Sequence, residues 1–240
     1  MSGHSKWHNI QGRKNAQDAK RGKIFQKIAH DLYVAAKAGG ADPDMNASLR
    51  LVVEKAKAAN MPKENIQRAL DKASGANGAK FEEVTYEGYG TAGVAVLVEA
   101  STDNINRTVS SVRNSFKHAG GALGTSGSVA FHFDRRGYLA IDRSAFPDLD
   151  EDTVLEAALE AGAEDMQTSD DVFEIYTEPA DFQAVESALT EAGYVFEDAE
   201  VTMIAQNPMD ILEEDREKLD KLVDELEDNE DVLAVYTTAD

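Results

Sequence analysis

The sequence FEEVTYEGYGTAGVAVLVEA, residues 81–100, marks the point where the pattern of the chain changes from helical to extended. Its two halves are rich in β-branched and aromatic residues and flank a glycine-containing turn, which is typical of two strands joined as a hairpin. The turn, residues 88–93, also matches the G-x-G-x-x-G pattern of dinucleotide-binding loops, but such a loop must open a helix. Because VAVLVEA predicts a strand, we interpret residues 81–100 as a β-hairpin.

Three amphipathic helices precede this hairpin. Apolar residues recur at helical spacing in residues 23–37, in residues 49–56 and in a third segment that begins at Pro62. Their stripes comprise Phe25, Ile28, Ala29, Leu32 and Ala36, then Leu49, Val52, Val53 and Ala56, then Ile66, Ala69, Leu70 and Ala73. Lys14 and Arg21 would fall in line with the first stripe, so we expect that helix to begin after Gly22. Short helices cannot each bury a stripe alone, which predicts a small bundle.

The hairpin is followed by two α/β patterns. Residues 103–119 predict a helix and SVAFHFD, residues 128–134, predicts a strand, which leaves this first unit short of one helix and one strand. From Gly137 the order is strand, helix, strand, strand, helix, strand, the ferredoxin-like arrangement. One more helix (residues 211–226) and the strand VLAVY remain, and the simplest topology returns them to the first unit.

The sequence therefore predicts an α+β fold, in which an N-terminal helical bundle is followed by two ferredoxin-like α/β domains, the third inserted in the second. The predicted boundaries are 1–79 for the basic arm and bundle, 80–134 plus 208–240 for the second domain, and 135–207 for the acidic inserted domain.

The net charge of −21 is distributed very unevenly. Residues 1–75 carry 14 Lys+Arg against 7 Asp+Glu, whereas residues 139–240 carry 4 against 32. Such asymmetry indicates separate surfaces with separate partners. The acidic part is expected to increase solubility or to meet a basic protein partner.

The positive charge is concentrated near the start of the chain. Between Lys6 and Lys27 there are seven cationic residues and one acid, Asp18, together with the only tryptophan. A basic arm leading into a helix with a basic face is suited to phosphate backbones. The alternative is a solvated tail whose lysines only increase solubility. The predicted phosphate contacts are Lys6, Arg13, Lys14, Lys20, Arg21, Lys23 and Lys27, with Trp7 as a stacking group and with Arg107 and Asn114 extending the surface.

No residue pattern predicts an enzyme, a cofactor or a metal site. The chain has no cysteine, and no Ser/His/Asp or paired-carboxylate constellation stands out. His4 and His8 are four residues apart but lack a third ligand at suitable spacing. The absence of an 18-residue apolar stretch and of a signal-peptide pattern predicts a cytoplasmic protein without a membrane partner.

Several motifs resemble the YebC family almost from end to end. They are GHSKW, RKNAQDAKRGKIFQK, NMPKENIQRAL, YEGYG, DNINRTVSSVR, GTSGSVAF, EAALEAGAED and the C-terminal VYTTAD. The resemblance implies three domains, a helical bundle and two α/β domains, and a cytoplasmic nucleic-acid-binding regulator without known catalytic activity. Bacterial members are commonly described as probable transcriptional regulators that bind DNA. Other members act in translation on the ribosome, notably through proline-rich stretches, which would make rRNA the partner.

This chain departs from the family pattern at three places. Thr91 and Ala92 stand where the family often has Pro-Gly, Ala47 follows Asn46 where a proline is common, and NIQGRKNAQ has one cation fewer than NIKHRKAAQ. The residues themselves show no helix-turn-helix spacing, which favours RNA, whereas the family description favours DNA. A third possibility is a protein-interaction module that uses the acidic domain.

Overall fold

The structure is a computed structural model that describes residues 20–75, 81–146 and 149–239, except for the side chains of residues 20–23 and 26. The helices are α1 Lys20–Gly39, α2 Ala47–Ala58, α3 Lys63–Ser74, α4 Ile105–His118, α5 Glu151–Ala161, α6 Phe182–Glu191 and α7 Glu213–Glu227. The strands are β1 Glu82–Tyr89, β2 Ala95–Thr102, β3 Ala122–Leu123, β4 Phe133–Asp142, β5 Asp165–Thr168, β6 Val172–Thr177, β7 Asp198–Ala205 and β8 Val232–Thr237. The predicted fold class, helices first and then α/β sheets, is confirmed.

Helices α1 to α3 pack around one apolar core. The predicted stripes are confirmed, because their members are either fully buried in this core or packed against it. Helix α1 begins at Lys20 and runs through Gly22, so the expected start after Gly22 was wrong. One glycine inside a helix costs only about 1 kcal/mol relative to alanine, which the packing of the same helix can offset.

Asn46 joins the first two helices of the bundle. Its Nδ2 donates to the carbonyl oxygens of Ala35 and Gly40, 2.8 and 2.9 Å away, near the end of α1. Its Oδ1 accepts from the Leu49 N–H and thereby caps α2. A Cβ on Gly39 would lie 2.7 Å from the same amide, so the close approach requires glycine there.

The first sheet has the strand order β3-β1-β2-β8, with every neighbouring pair antiparallel. Strand β8 pairs with β2 from Val96↔Thr237 onward, so the C-terminal segment completes this sheet. The strand predicted at residues 128–134 does not belong to it, because Ala130–His132 forms a 3₁₀ turn and Phe133 begins β4. The third strand is instead the two-residue β3, which lies inside the predicted glycine-rich loop and is too short to have a periodic signal.

The second sheet has the ferredoxin-like order β5-β6-β4-β7 and is also antiparallel throughout. One face packs against α5 and α6 around Leu139, Ile141, Phe173 and Ile175. On the other face, Tyr138 is fully buried and donates to the equally buried Glu174, 2.7 Å away.

The described residues divide into two compact units. Residues 131–210 with Thr238 and Ala239 form one, and residues 20–130 with Ile211–Thr237 form the other. The predicted boundaries 80–134 plus 208–240 and 135–207 remain a proposal, which fragments can test.

A fragment of residues 131–210 is expected to unfold cooperatively, because it contains all four strands and both helices of the second sheet. A fragment of residues 80–134 is not, because β2 would lose its partner β8 and expose a hydrophobic edge. Thermal unfolding followed by circular dichroism measures both. A cooperative transition in the 80–134 fragment would contradict the discontinuous second domain.

Glu87 fixes the loop that follows β3. The residue is 5% exposed, and its carboxylate accepts hydrogen bonds from the N–H groups of Gly127, Val129 and Ala130 at 2.7 to 2.8 Å. Burial by itself raises the pKa of Glu87, but these backbone donors outweigh it, and the pKa lies below its ordinary value. The loop therefore depends on an ionised carboxylate.

Glu87→Gln is expected to destabilise the protein at pH 7 by about 2–3 kcal/mol. The variant loses a charged acceptor, and the NH₂ group of the glutamine side chain is placed against the backbone N–H groups of the loop. A lowered carboxyl pKa gives stability that is present above the unfolded pKa and is lost as the pH falls through the folded pKa. The gap between wild type and variant should therefore shrink in acid. Urea unfolding at neutral and acidic pH tests this, with the exposed Glu82→Gln on the same strand as the control. A gap that stays constant with pH would contradict the assignment.

Ala92 has left-handed backbone dihedral angles, φ 52° and ψ 15°, in the turn between β1 and β2. Beside it, the Thr91 hydroxyl donates to Asp215 of α7, 2.6 Å away. A non-glycine residue in this region costs about 1–2 kcal/mol. Compared with Pro-Gly at these positions, Ala92 introduces backbone strain and Thr91 adds a side-chain contact.

Ala92→Gly is expected to stabilise the protein by about 0.5–1 kcal/mol, since relief of strain exceeds the entropy that glycine gains in the unfolded chain. Ala122→Gly in β3 is the matched control and should be neutral or destabilising. Denaturant midpoints compare the three proteins. Equal losses of stability in both variants would show that Ala92 is not strained.

Candidate nucleic-acid interface

The predicted interface centres on the first part of the chain. Lys6, Trp7, Arg13 and Lys14, like His4 and His8, lie outside the described residues. For Lys20, Arg21 and Lys23 the structure gives the backbone, which forms the first turn of α1. Lys27 is exposed one turn further on.

Three of the predicted cations occupy positions on one face of helix α1. Positions 20, 23 and 27 are separated by three and four residues, the spacing at which helical residues share a face. Ile28 and Leu32, which face the bundle core, are almost fully buried. Positions 20, 23 and 27 of the helix backbone therefore lie away from the buried positions 28 and 32.

The charge difference is also present between the helical bundle and the second sheet with its helices. Residues 20–75 carry 11 Lys+Arg and 6 Asp+Glu, whereas residues 149–205 carry 17 Asp+Glu and no Lys or Arg. A polyanion is attracted by the bundle and repelled by the inserted sheet.

Some cations of the bundle already have acidic partners. Lys55 lies 3.3 Å from Asp31, and Lys37 lies 3.5 Å from Glu83, whose other contact is the Tyr33 hydroxyl at 2.5 Å. The Tyr33 hydrogen bond lowers the pKa of Glu83, and burial together with Glu83 raises the pKa of Tyr33 to about 12. The contacts of Glu83 hold α1 against β1, the Lys55–Asp31 pair joins α2 to α1, and both leave fewer cations for phosphates.

Arg107 and Asn114 lie on α4, as predicted, but in different settings. Arg107 Nη2 lies 2.8 Å from Asp103 and 3.1 Å from Asp231, and hydrogen bonding to Asp231 and then Asp103 raises its pKa. The positive charge of Arg107 is therefore largely balanced in place. Asn114 is exposed.

The same face of α4 contacts the last turn of α7 and the segment that follows it. Asn229 Nδ2 donates to the Ser111 hydroxyl at 3.1 Å, and His118 Nδ1 lies 3.2 Å from Glu225. This face, which the sequence suggests as an extension of the basic surface, is thus used in part to hold the C-terminal segment.

A cleft that sequence reasoning missed lies in the same unit, and we call it the α3 cleft. Its volume is about 430 Å³, and it is lined by Arg68, Lys72, Phe81, Asp103, Arg107, Asn229, Glu230 and Asp231. Arg68 and Lys72 are one turn apart on α3, so their spacing was visible in the sequence. Their juxtaposition with residues 229–231 was not, because it joins positions about 160 residues apart.

The described residues contain neither a cluster of metal-ligating side chains nor a membrane-spanning helix. No group of three or more His, Asp or Glu side chains there is arranged to hold a metal ion. None of the described helices is both long and apolar enough to cross a membrane.

The fold and charge distribution define a class: an α+β protein with a basic helical bundle and an acidic α/β unit. The family model for the TACO1/YebC protein N-terminal domain matches residues 5–76, and the model for the TACO1/YebC second and third domain matches residues 81–239. The chain belongs to the TACO1/YebC family, which confirms the resemblance read from its motifs.

Relatives match over their whole length. A protein of Oenococcus oeni is 75% identical over all 240 residues of both chains, and one of Levilactobacillus brevis is 62% identical over 100% of this chain and 97% of its own. Both are named probable transcriptional regulatory protein. The crystal structure of a conserved hypothetical protein from Aquifex aeolicus matches with a TM-score of 0.73 at 43% identity, over 93% of this chain and 91% of that one.

Proposed function

We propose that this protein is a cytoplasmic regulator of gene expression, not an enzyme, that binds nucleic acid through its basic N-terminal region and α1. The observation that carries the proposal is the confinement of net positive charge to the bundle in a chain of net charge −21. The names of the relatives as probable transcriptional regulatory proteins support the same class of function.

The proposed contacts are to phosphates. The arm supplies Lys6, Arg13 and Lys14, and α1 supplies Lys20, Arg21, Lys23 and Lys27. Each cation that neutralises a phosphate releases a counterion, so the binding is expected to weaken steeply with salt. Repulsion by the acidic inserted unit limits nucleic acid to the basic end of the chain.

The setting of α3 favours phosphate contacts over base readout in a duplex groove. A recognition helix presents side chains that are free to meet base edges. On α3, Arg68 lies 3.1 Å from Glu230, and the Gln67 amide donates to Asp71 at 2.8 Å. DNA remains the first candidate because of the relatives' names. Structured RNA, such as rRNA in a translating ribosome, is the second because shape and phosphate contacts suffice there.

Charge reversal in α1 tests the proposed surface. Four to six phosphate contacts predict a slope of log affinity against log salt of about −4 to −5 on duplex DNA. The triple variant Lys20→Glu, Lys23→Glu and Lys27→Glu removes about three contacts and adds repulsion, so both affinity and slope should fall. Fluorescence anisotropy with labelled duplex DNA and with structured RNA over a salt series measures both.

The matched control reverses three cations of the acidic helix α7, Arg216→Glu, Lys218→Glu and Lys221→Glu. It changes the net charge equally and should leave binding almost unchanged. If both triple variants lose affinity equally, or if neither does while circular dichroism shows both folded, the basic region is not the binding surface. The tighter of the two probes identifies the class of nucleic acid.

A further inference from the structure

We propose that the α3 cleft binds a single unpaired nucleotide, with its base against the ring of Phe81 and its phosphate at Arg68 and Lys72. The proposal rests on the proposed function, since it takes nucleic acid as the partner, but it concerns a second contact away from the basic arm. All the lining residues lie within one unit and within the described part of the chain.

The cleft has the size and the aromatic wall that a nucleotide requires. A volume of about 430 Å³ is within the range of small-ligand sites. Phe81 lies just before β1 and is half-buried, and the ammonium of Lys72 is 5.8 Å from the centre of its ring. Unpaired bases bind proteins chiefly by stacking on aromatic rings beside a cation that holds the backbone. Phe81 and Lys72 supply both groups, with the ammonium lying over the ring.

Lys72 is the cation best placed to receive a phosphate. Its ammonium donates to the backbone carbonyl of Glu230, and no carboxylate of the described residues lies within salt-bridge distance of it. Burial lowers the pKa of Lys72, against the opposing influence of Asp231 and Glu230. A partly desolvated ammonium without a direct carboxylate partner gains most from an incoming anion.

Arg68 can change partners at little cost. Its ion pair with Glu230 joins side chains that are 54% and 74% exposed, and such pairs are only weakly stabilising. A phosphate offers the guanidinium a bidentate partner instead. Glu230 can turn into solvent, while its backbone carbonyl remains in place.

The carboxylates of Asp231 and Asp103, which also line the cleft, already have partners within the protein. Asp231 is 7% exposed and is satisfied by Arg107 and by the Thr108 hydroxyl, which donates to it at 2.7 Å. Asp103 also accepts from Arg107, and its side chain is 44% exposed.

The exposed Asp103 carboxylate predicts a preference among bases. A carboxylate accepts from the exocyclic amine of adenine or cytosine and repels the carbonyl of uracil. We therefore expect adenine and cytosine nucleotides to bind better than uracil nucleotides.

Saturation-transfer NMR on the full chain with each of the four nucleoside 5′-monophosphates tests the proposal, because single nucleotides bind weakly and this method detects weak binding. Transfer to the base protons of AMP and CMP is expected to exceed transfer to UMP. Phe81→Leu and Lys72→Gln should each weaken AMP binding by at least about fivefold. The controls are Phe131→Leu, an exposed aromatic residue in the other unit, and Lys117→Gln, an exposed lysine on α4; both should bind AMP as the wild type does.

The outcomes separate this site from the arm. Retention of AMP binding by the Lys20/Lys23/Lys27 charge-reversal variant supports the cleft, whether or not that variant still binds long nucleic acids. Loss of AMP binding in that variant, with no loss in Phe81→Leu and Lys72→Gln, overturns it. Absence of saturation transfer from all four nucleotides also overturns it. If Phe81→Leu fails to fold by circular dichroism, Lys72→Gln decides alone.

Discussion

The pairing of β8 with β2 is the constraint on which the arrangement of the chain depends. It joins residues 95–102 to residues 232–237 in an antiparallel register, with one irregularity between Glu99 and Ala100. The entropic cost of closing a loop grows only slowly with the length of the loop. A sheet of four strands can therefore lie between β2 and β8 in the chain without a large loss of stability. Because β8 lies in this register, the Ser101 N–H meets the carbonyl of Asp231, and residues 229–231 come to the α3 cleft.

Buried polar contacts then decide which charged residues are free for function. The Thr102 and Thr108 hydroxyls lie 2.7 Å apart, and the Thr108 hydroxyl donates a hydrogen bond to the Asp231 carboxylate. A carboxylate this buried must be paired, since an unpaired one is strongly destabilising. Arg107 supplies the second partner at 3.1 Å, so the charge of this exposed arginine on the polar face of α4 is paired with a buried carboxylate.

The distribution of charge links the fold to the proposed function. The bundle has a net excess of cations, whereas residues 149–205 present only acids, so the two ends interact with a polyanion in opposite ways. In the proposed function, long-range attraction of this kind brings nucleic acid to the basic end, but it carries little sequence information. A nucleotide in the α3 cleft would add a contact that distinguishes bases and single strands, which phosphate binding alone does not do.

The sequence by itself determined the features that depend on local periodicity. The stripes of α1 to α3, the hairpin at residues 81–100, the strand and helix order of the inserted sheet, and the basic and acidic ends could all be predicted. It did not determine the two-residue strand β3, which is held by backbone pairing with Gly88 and Tyr89 and has no pattern of its own. Nor did it show that Arg107 is paired with Asp231, or that Arg68 and Lys72 share a cleft with Phe81 and Glu230. These contacts join residues that are distant along the chain, and only the register of β8 beside β2, with α3 packed near its start, brings them within a few ångströms.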